Sequence, residues 1–178
     1  MKTYLTYGFA MALAGGLITL ALYFLGYHTD PQKAASAQWV ALPFYLAATI
    51  ILLVLGIKAR RAELPLSEPF GYGRALGAGV MIILFSALFG IVFTYLYFQF
   101  INPGFADVMV QVQAEKMEAK NLGATQIEQM ERFTRMMMKP PVMAIFGFFQ
   151  SMLVGTIIAL ITASFLRRPA SSERPIVA

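Results

Sequence analysis

Four stretches of this chain, residues 3–27, 34–57, 75–102 and 140–166, contain no Asp, Glu, Lys, Arg or His. Each is longer than the roughly 20 residues a helix needs to cross a hydrocarbon layer about 30 Å thick. At that depth no water is present to satisfy backbone N–H and C=O groups. A spanning segment must pair them internally, and a helix does so within one segment. The pattern therefore predicts four transmembrane helices, at about 4–27, 37–58, 75–101 and 141–166. Charged residues make up 13% of the chain, against about 25% for a soluble domain. The helices fill nearly all of residues 1–178, which leaves one domain. The first run exceeds the 7–15-residue core of a signal peptide and lacks a small-x-small cleavage site after it, so it reads as a retained helix.

Charge gives the expected orientation. Lys58, Arg60, Arg61 and Arg74 lie between the second and third runs, and Arg167 and Arg168 follow the fourth. Short loops rich in Lys and Arg stay on the cytoplasmic side, and an even number of helices then places both termini there. The same belt could attract anionic headgroups. A nucleic-acid role is not expected, because such clusters are the ordinary orientation signal.

Small residues mark where helices approach closely in lipid. Gly147, Ser151, Gly155, Ala159 and Ala163 form a stripe on the fourth helix; Gly8, Ala12 and Gly16 form one on the first; Gly73 and Gly77 open the third. Contacts within one bundle explain several such stripes better than one dimer face does, although a homo-oligomer stays open. Pro43 falls inside the second run, where it removes a hydrogen bond.

Between the third and fourth runs, Asn102, Pro103 and Gly104 stop a helix. Phe105, Val108, Met109 and Val112 then recur at helical spacing, predicting an amphipathic helix over about 105–120. Gly123 suits a left-handed helix end, and Thr125 with Glu128 fits a capping box for a second helix over about 125–138. Ile127, Met130, Thr134 and Met137 share its apolar face. The expected fold is thus an all-α, integral membrane four-helix bundle with an amphipathic helical hairpin between helices three and four. Phe105, Met109, Val112, Ile127, Met130 and Met137 are its candidate interaction residues.

Residues that would carry chemistry are scarce. There is no cysteine and a single histidine, His28, so multi-histidine and thiolate metal sites are ruled out. No ionisable group sits mid-span, which argues against a proton relay or an intramembrane carboxylate pair. Seven of the eleven methionines lie between Met109 and Met143. Thioethers favour Cu(I), but these residues already serve apolar helix faces. No catalytic residue, cofactor or metal ligand is assigned, and the chain reads as a non-enzyme.

Phe70-Gly71-Tyr72-Gly73-Arg74-Ala75 after a basic stretch, then Phe100-Ile101-Asn102-Pro103-Gly104-Phe105 ahead of a charged segment and a Pro-led helix, resemble a known family. It comprises small bacterial four-helix membrane proteins, chiefly of Bacteroidota, classed as domain of unknown function 4199. The resemblance implies an inner-membrane location and no activity. Two functions are then expected to compete. One is an envelope scaffold that binds a membrane or periplasmic protein through the outer hairpin. The other is an oligomeric small-solute or lipid permease with a polar face around Gln99, Gln150 and Ser151.

Overall fold

The computed structural model describes residues 1–65 and 67–168. It is 84% helical, and among the described residues there is no strand, which fixes the all-α class. The order is α1 (Lys2–Phe24), α2 (Pro31–Ala62), α3 (Tyr72–Leu96), a π-helical turn (Tyr97–Ile101), α4 (Phe105–Glu118), α5 (Ala124–Met137) and α6 (Pro140–Leu166). Four segments are long and apolar enough to cross a membrane: α1, α2, α6, and α3 together with its π turn.

The helix ends obey local chemistry. Gly26 adopts φ 86°, and Tyr27 N–H bonds back to Leu22 O at 2.8 Å while Gly26 N–H bonds to Tyr23 O at 3.0 Å. That is a Schellman closure of α1, with glycine at the left-handed position. Asp30 then accepts from Gln32 N–H at 2.9 Å and Pro31 takes the first helical position, so α2 starts six residues before the expected 37. Its 32 residues extend about 48 Å, well beyond a hydrocarbon core.

Two expected features of the α4–α5 connection are corrected. The left-handed residue is Asn121, at φ 55°. Leu122 N–H bonds to Met117 O at 3.2 Å and Asn121 N–H to Glu118 O at 2.8 Å, again a Schellman pattern. Gly123 is extended instead and precedes α5 without a side-chain cap. The Thr125–Glu128 capping box does not form, because α5 begins at Ala124 and Thr125 is already inside it.

α3 is the central helix, packing most extensively against α6, then α1, and less against α2. A Cβ on Gly8 would lie 2.7 Å from Phe85 Cβ and 3.0 Å from both Ile82 O and Ser86 N. α1 therefore rests directly on the α3 backbone. Around the helix, a Cβ on Gly155 would lie 2.7 Å from Ile83 Cγ2, and one on Gly79 3.0 Å from Ala159 Cβ. Ala12 is buried and Ala159 is fully buried, while Gly16 makes ordinary contact with Phe93. Gly73, Gly77 and Gly147 have open space where a Cβ would stand, so they mark no close contact within this chain. Ser151 is half-buried. Gly56 was not singled out in the sequence, yet a Cβ there would meet Ile82 Cδ1 at 2.6 Å.

The core gathers at one end of the bundle, where Leu53, Ile57, Phe70, Ala75, Ile82, Ile83 and Ala163 are essentially sealed. Lys58, Arg60, Arg61, Arg74, Arg167 and Arg168 lie at that end. Phe70 and Arg168 exchange backbone hydrogen bonds of 3.0 and 2.8 Å, and the Arg168 guanidinium donates to Pro65 O and Glu68 O at 2.7 and 2.8 Å. Arg61 donates to Leu166 O at 3.2 Å, satisfying a carbonyl that the last turn of α6 leaves without a helical partner. Part of the basic belt is thus structural.

Gly8→Ala should lower thermal stability in detergent by about 1–3 kcal/mol, because its methyl would meet backbone atoms. Gly77→Ala, pointing into open space, should leave the melting temperature unchanged. Equal melting of the two variants would contradict the Gly8 contact.

Candidate interaction surface

At the opposite end, three segments converge on His28. Its Nδ1 lies 2.7 Å from the Tyr97 hydroxyl. Asn102 Nδ2 donates to His28 O at 3.1 Å and to the Tyr97 hydroxyl at 3.3 Å. One arrangement satisfies all three groups: Tyr97 accepts from Asn102 and donates to a neutral His28 ring whose proton is on Nε2. Phe105 stacks edge-on against His28, with centroids 5.1 Å apart, and lies 4.9 Å from Phe98. The π turn makes this convergence. Asn102 N–H reaches Tyr97 O at 2.8 Å, an i→i−5 bond that widens the helix and rotates the residues beyond it.

α4 leaves this cluster and packs on both α2 and α5. Val110 and Val112 are both buried, although two residues apart on a helix they point about 200° away from each other. α4 is therefore covered on two sides. Phe105 and Met109 are half-buried. Val112, only 2% exposed, packs within the protein and is closed to a partner.

α5 is different. Thr134 is buried, and Ile127 and Met137 are half-buried, so that face turns inward. Phe133 and Met136 face out, 52% and 50% exposed, while Met130, 38% exposed, lies at the margin of the inward face and borders the cleft beside Met117. Phe133 and Met136 were not among the expected interaction residues. Their spacing from Met130, three residues at a time, was the available signal. A shallow cleft of about 340 Å³ runs between Met117, Leu122, Gln126, Gln129, Met130 and Phe133. Arg135 Nη1 bonds Asp107 Oδ1 at 2.5 Å, tying the end of α5 to the start of α4.

Residues 6–168 match the family described as a protein of unknown function (DUF4199). The chain belongs to that family. The DUF4199 match spans every helix from early α1 through α6. No curated protein and no solved structure matches the chain. Among its described residues, no group of three or more His, Cys, Asp or Glu is arranged to hold a metal ion. The methionines of α5 that face outward lie along a surface rather than around a point.

The polar residues expected to line a pathway are dispersed in this DUF4199 chain. The contacts of Gly155 with Ile83 and of Gly79 with Ala159 share one antiparallel register. In that register Gln99 is level with residue 139, about 16 Å along the axis from Gln150. Both glutamines are exposed, and neither they nor Ser151 line the two clefts described for this chain.

Burial holds the His28 pKa below its ordinary 6.5. The folded state thus binds its proton later than the unfolded state does. Stability should be level above pH 6.5 and fall as pH drops from 6.5 to the folded pKa, by at most about 1.4 kcal/mol per pH unit. Hydrogen exchange of the α4 amides should accelerate between pH 7.5 and 5.5, beyond the intrinsic pH effect on exchange chemistry. His28→Gln should remove that excess; an unchanged excess would exclude His28 as its source.

Proposed function

We propose that this is a four-span bacterial inner-membrane protein with both termini cytoplasmic, acting as an envelope scaffold through its outer helical pair. The observation that carries this reading is the exposed Phe133 and Met136, with Met130 at their edge, on a helix whose adjoining side is held down. An apolar face on a positioned helix is a common means of recognising a partner. Exposed apolar side chains grouped in this way mark interaction sites more often than scattered ones do. The charges of α5 are mixed, with Glu128 and Glu131 beside Arg132 and Arg135, which gives it no bias toward anionic lipid. A membrane or periplasmic protein is therefore the partner we favour.

The permease reading draws less support, since its polar residues are separated along the bundle. The positive-inside pattern supports the orientation, because Lys58, Arg60, Arg61, Arg74, Arg167 and Arg168 gather at one end of the bundle.

With no native cysteine, single-cysteine labelling reports orientation cleanly. Ser67→Cys should react only after the inner membrane is permeabilised, and Lys120→Cys should react in spheroplasts. The reverse pattern would invert the topology. A photoreactive residue at position 130 should capture a discrete protein in intact membranes, and Phe133→Asp should abolish that capture. Because Phe133 is exposed, its substitution should shift stability by no more than about 0.5 kcal/mol. Cross-links to lipid alone would defeat the scaffold reading.

A further inference from the structure

The basic end contains a cleft of about 420 Å³, within the size range of small-ligand sites. Its polar part includes the carboxylate Glu68 as well as Tyr4, Arg60 and Arg74, and Gly77, Ala78 and Met81 are among its apolar residues. Arg60 Nε donates to the Tyr4 hydroxyl at 2.9 Å, and its guanidinium carbon lies 5.7 Å from the centre of the Tyr4 ring. Arg60 Nη1 pairs with Glu63, and Glu63 also accepts from the Thr3 hydroxyl. Arg74 Nη1 pairs with Glu68 at 3.0 Å and donates to Pro69 O at 3.0 Å.

These pairs leave donors over. Among the described residues, Arg60 Nη2 and Arg74 Nε and Nη2 make no hydrogen bond. Glu63 and Glu68 do not cancel the surrounding charge, because Lys58, Arg61, Arg167 and Arg168 lie at the same end of the chain's helices. The remaining potential favours an anion, and a planar guanidinium matches the oxygens of a phosphate.

The apolar part has a direction. Arg74, Gly77, Ala78 and Met81 are spaced as one stripe on α3, running about 10 Å from the arginine into the apolar segment. Gly77 is exposed, with nothing within 4 Å of where its Cβ would be. A water-soluble phosphate would use the arginines and leave this stripe empty.

We propose that the cleft is a binding site for an anionic glycerophospholipid, its phosphate held by Arg60 and Arg74 and one acyl chain lying over Gly77 and Met81. Tyr4 closes the headgroup side, and Glu68 is placed to accept from a hydroxyl of the headgroup. The site rests on the membrane reading given above but not on the scaffold role. If the latter is wrong, the lipid site stands.

The full chain in detergent should be titrated with phosphatidylglycerol, phosphatidylcholine or inorganic phosphate, following binding by native mass spectrometry and stability by thermal melting. Both lipids carry the phosphate, but the choline cation of phosphatidylcholine offsets its charge beside the two arginines, so phosphatidylglycerol should bind about tenfold more tightly and should raise the melting temperature. Arg60→Gln/Arg74→Gln should erase the preference. Gly77→Leu keeps both charges and fills open space, so it should weaken phosphatidylglycerol binding while leaving the lipid-free melting temperature unchanged. Equal binding of the two lipids, or wild-type phosphatidylglycerol binding by Gly77→Leu, would overturn the proposal. An equal response to inorganic phosphate would replace the lipid with a soluble anion. A chain that alkaline carbonate extracts from membranes would instead refute the membrane reading itself.

Discussion

Everything in this bundle depends on how closely two helices can approach α3. In lipid, burial of apolar side chains gives little reason for one helix to prefer another, so association relies on contact area between backbones. Gly8 brings α1 onto the carbonyl and amide of Ile82 and Ser86, and Gly155 with Ala159 brings α6 onto Ile83 and Gly79. These contacts occupy different faces of the same helix. They set α1 and α6 independently, and α2 then completes the sealed cluster through Leu53 and Ile57.

That arrangement divides the molecule into two unequal halves. At the basic end, close approach, side-chain packing and the Phe70–Arg168 backbone pair all coincide. At the other end the contacts are aromatic and polar: His28, Tyr97, Asn102 and Phe105 hold the start of α4 against the bundle. The half of α6 nearer α5 exposes Ile145, Phe146, Phe149 and Leu153. Such exposure is ordinary in hydrocarbon and costly in water, so the exposed side chains themselves argue for the environment.

Much of this was legible in the sequence because a single variable, the absence of charge, carries the information. Four runs without charge correspond to four long helices, and the polar segment between the last two yields two shorter ones. Boundaries were less legible where competing signals overlapped. The start of α2 lay in plain view as Asp30 before Pro31, yet Gln32 and Lys33 obscured it by breaking the apolar pattern. Between α4 and α5, Gly123 and Thr125 carried the expected composition, but Asn121 tolerates the left-handed conformation too and ended α4 two residues sooner. Small-residue stripes proved ambiguous for a related reason. The spacing of Gly73 and Gly77 equals that of a contact pair, and only the third dimension reveals that nothing lies opposite. The outward face of α5 was half legible: Met130 is expected from periodicity, whereas the exposure of Phe133 depends on which side α4 covers.

The π turn at the end of α3 carries a consequence for how such a chain can change over time. A helix has one angular sequence of side chains, and α3 must serve α1, α6 and the His28 cluster together. The i→i−5 bond from Asn102 to Tyr97 is the geometry left when one extra residue is taken up without breaking the helix. Everything before it keeps its register against α1 and α6, and everything after it is turned as a unit. Lineages that gain or lose a residue near Tyr97–Ile101 would thereby re-aim α4 and α5 while inheriting the packing of α1, α3 and α6 unaltered. Variation in length at that point is a route by which one helical framework could acquire differently oriented surfaces on α4 and α5.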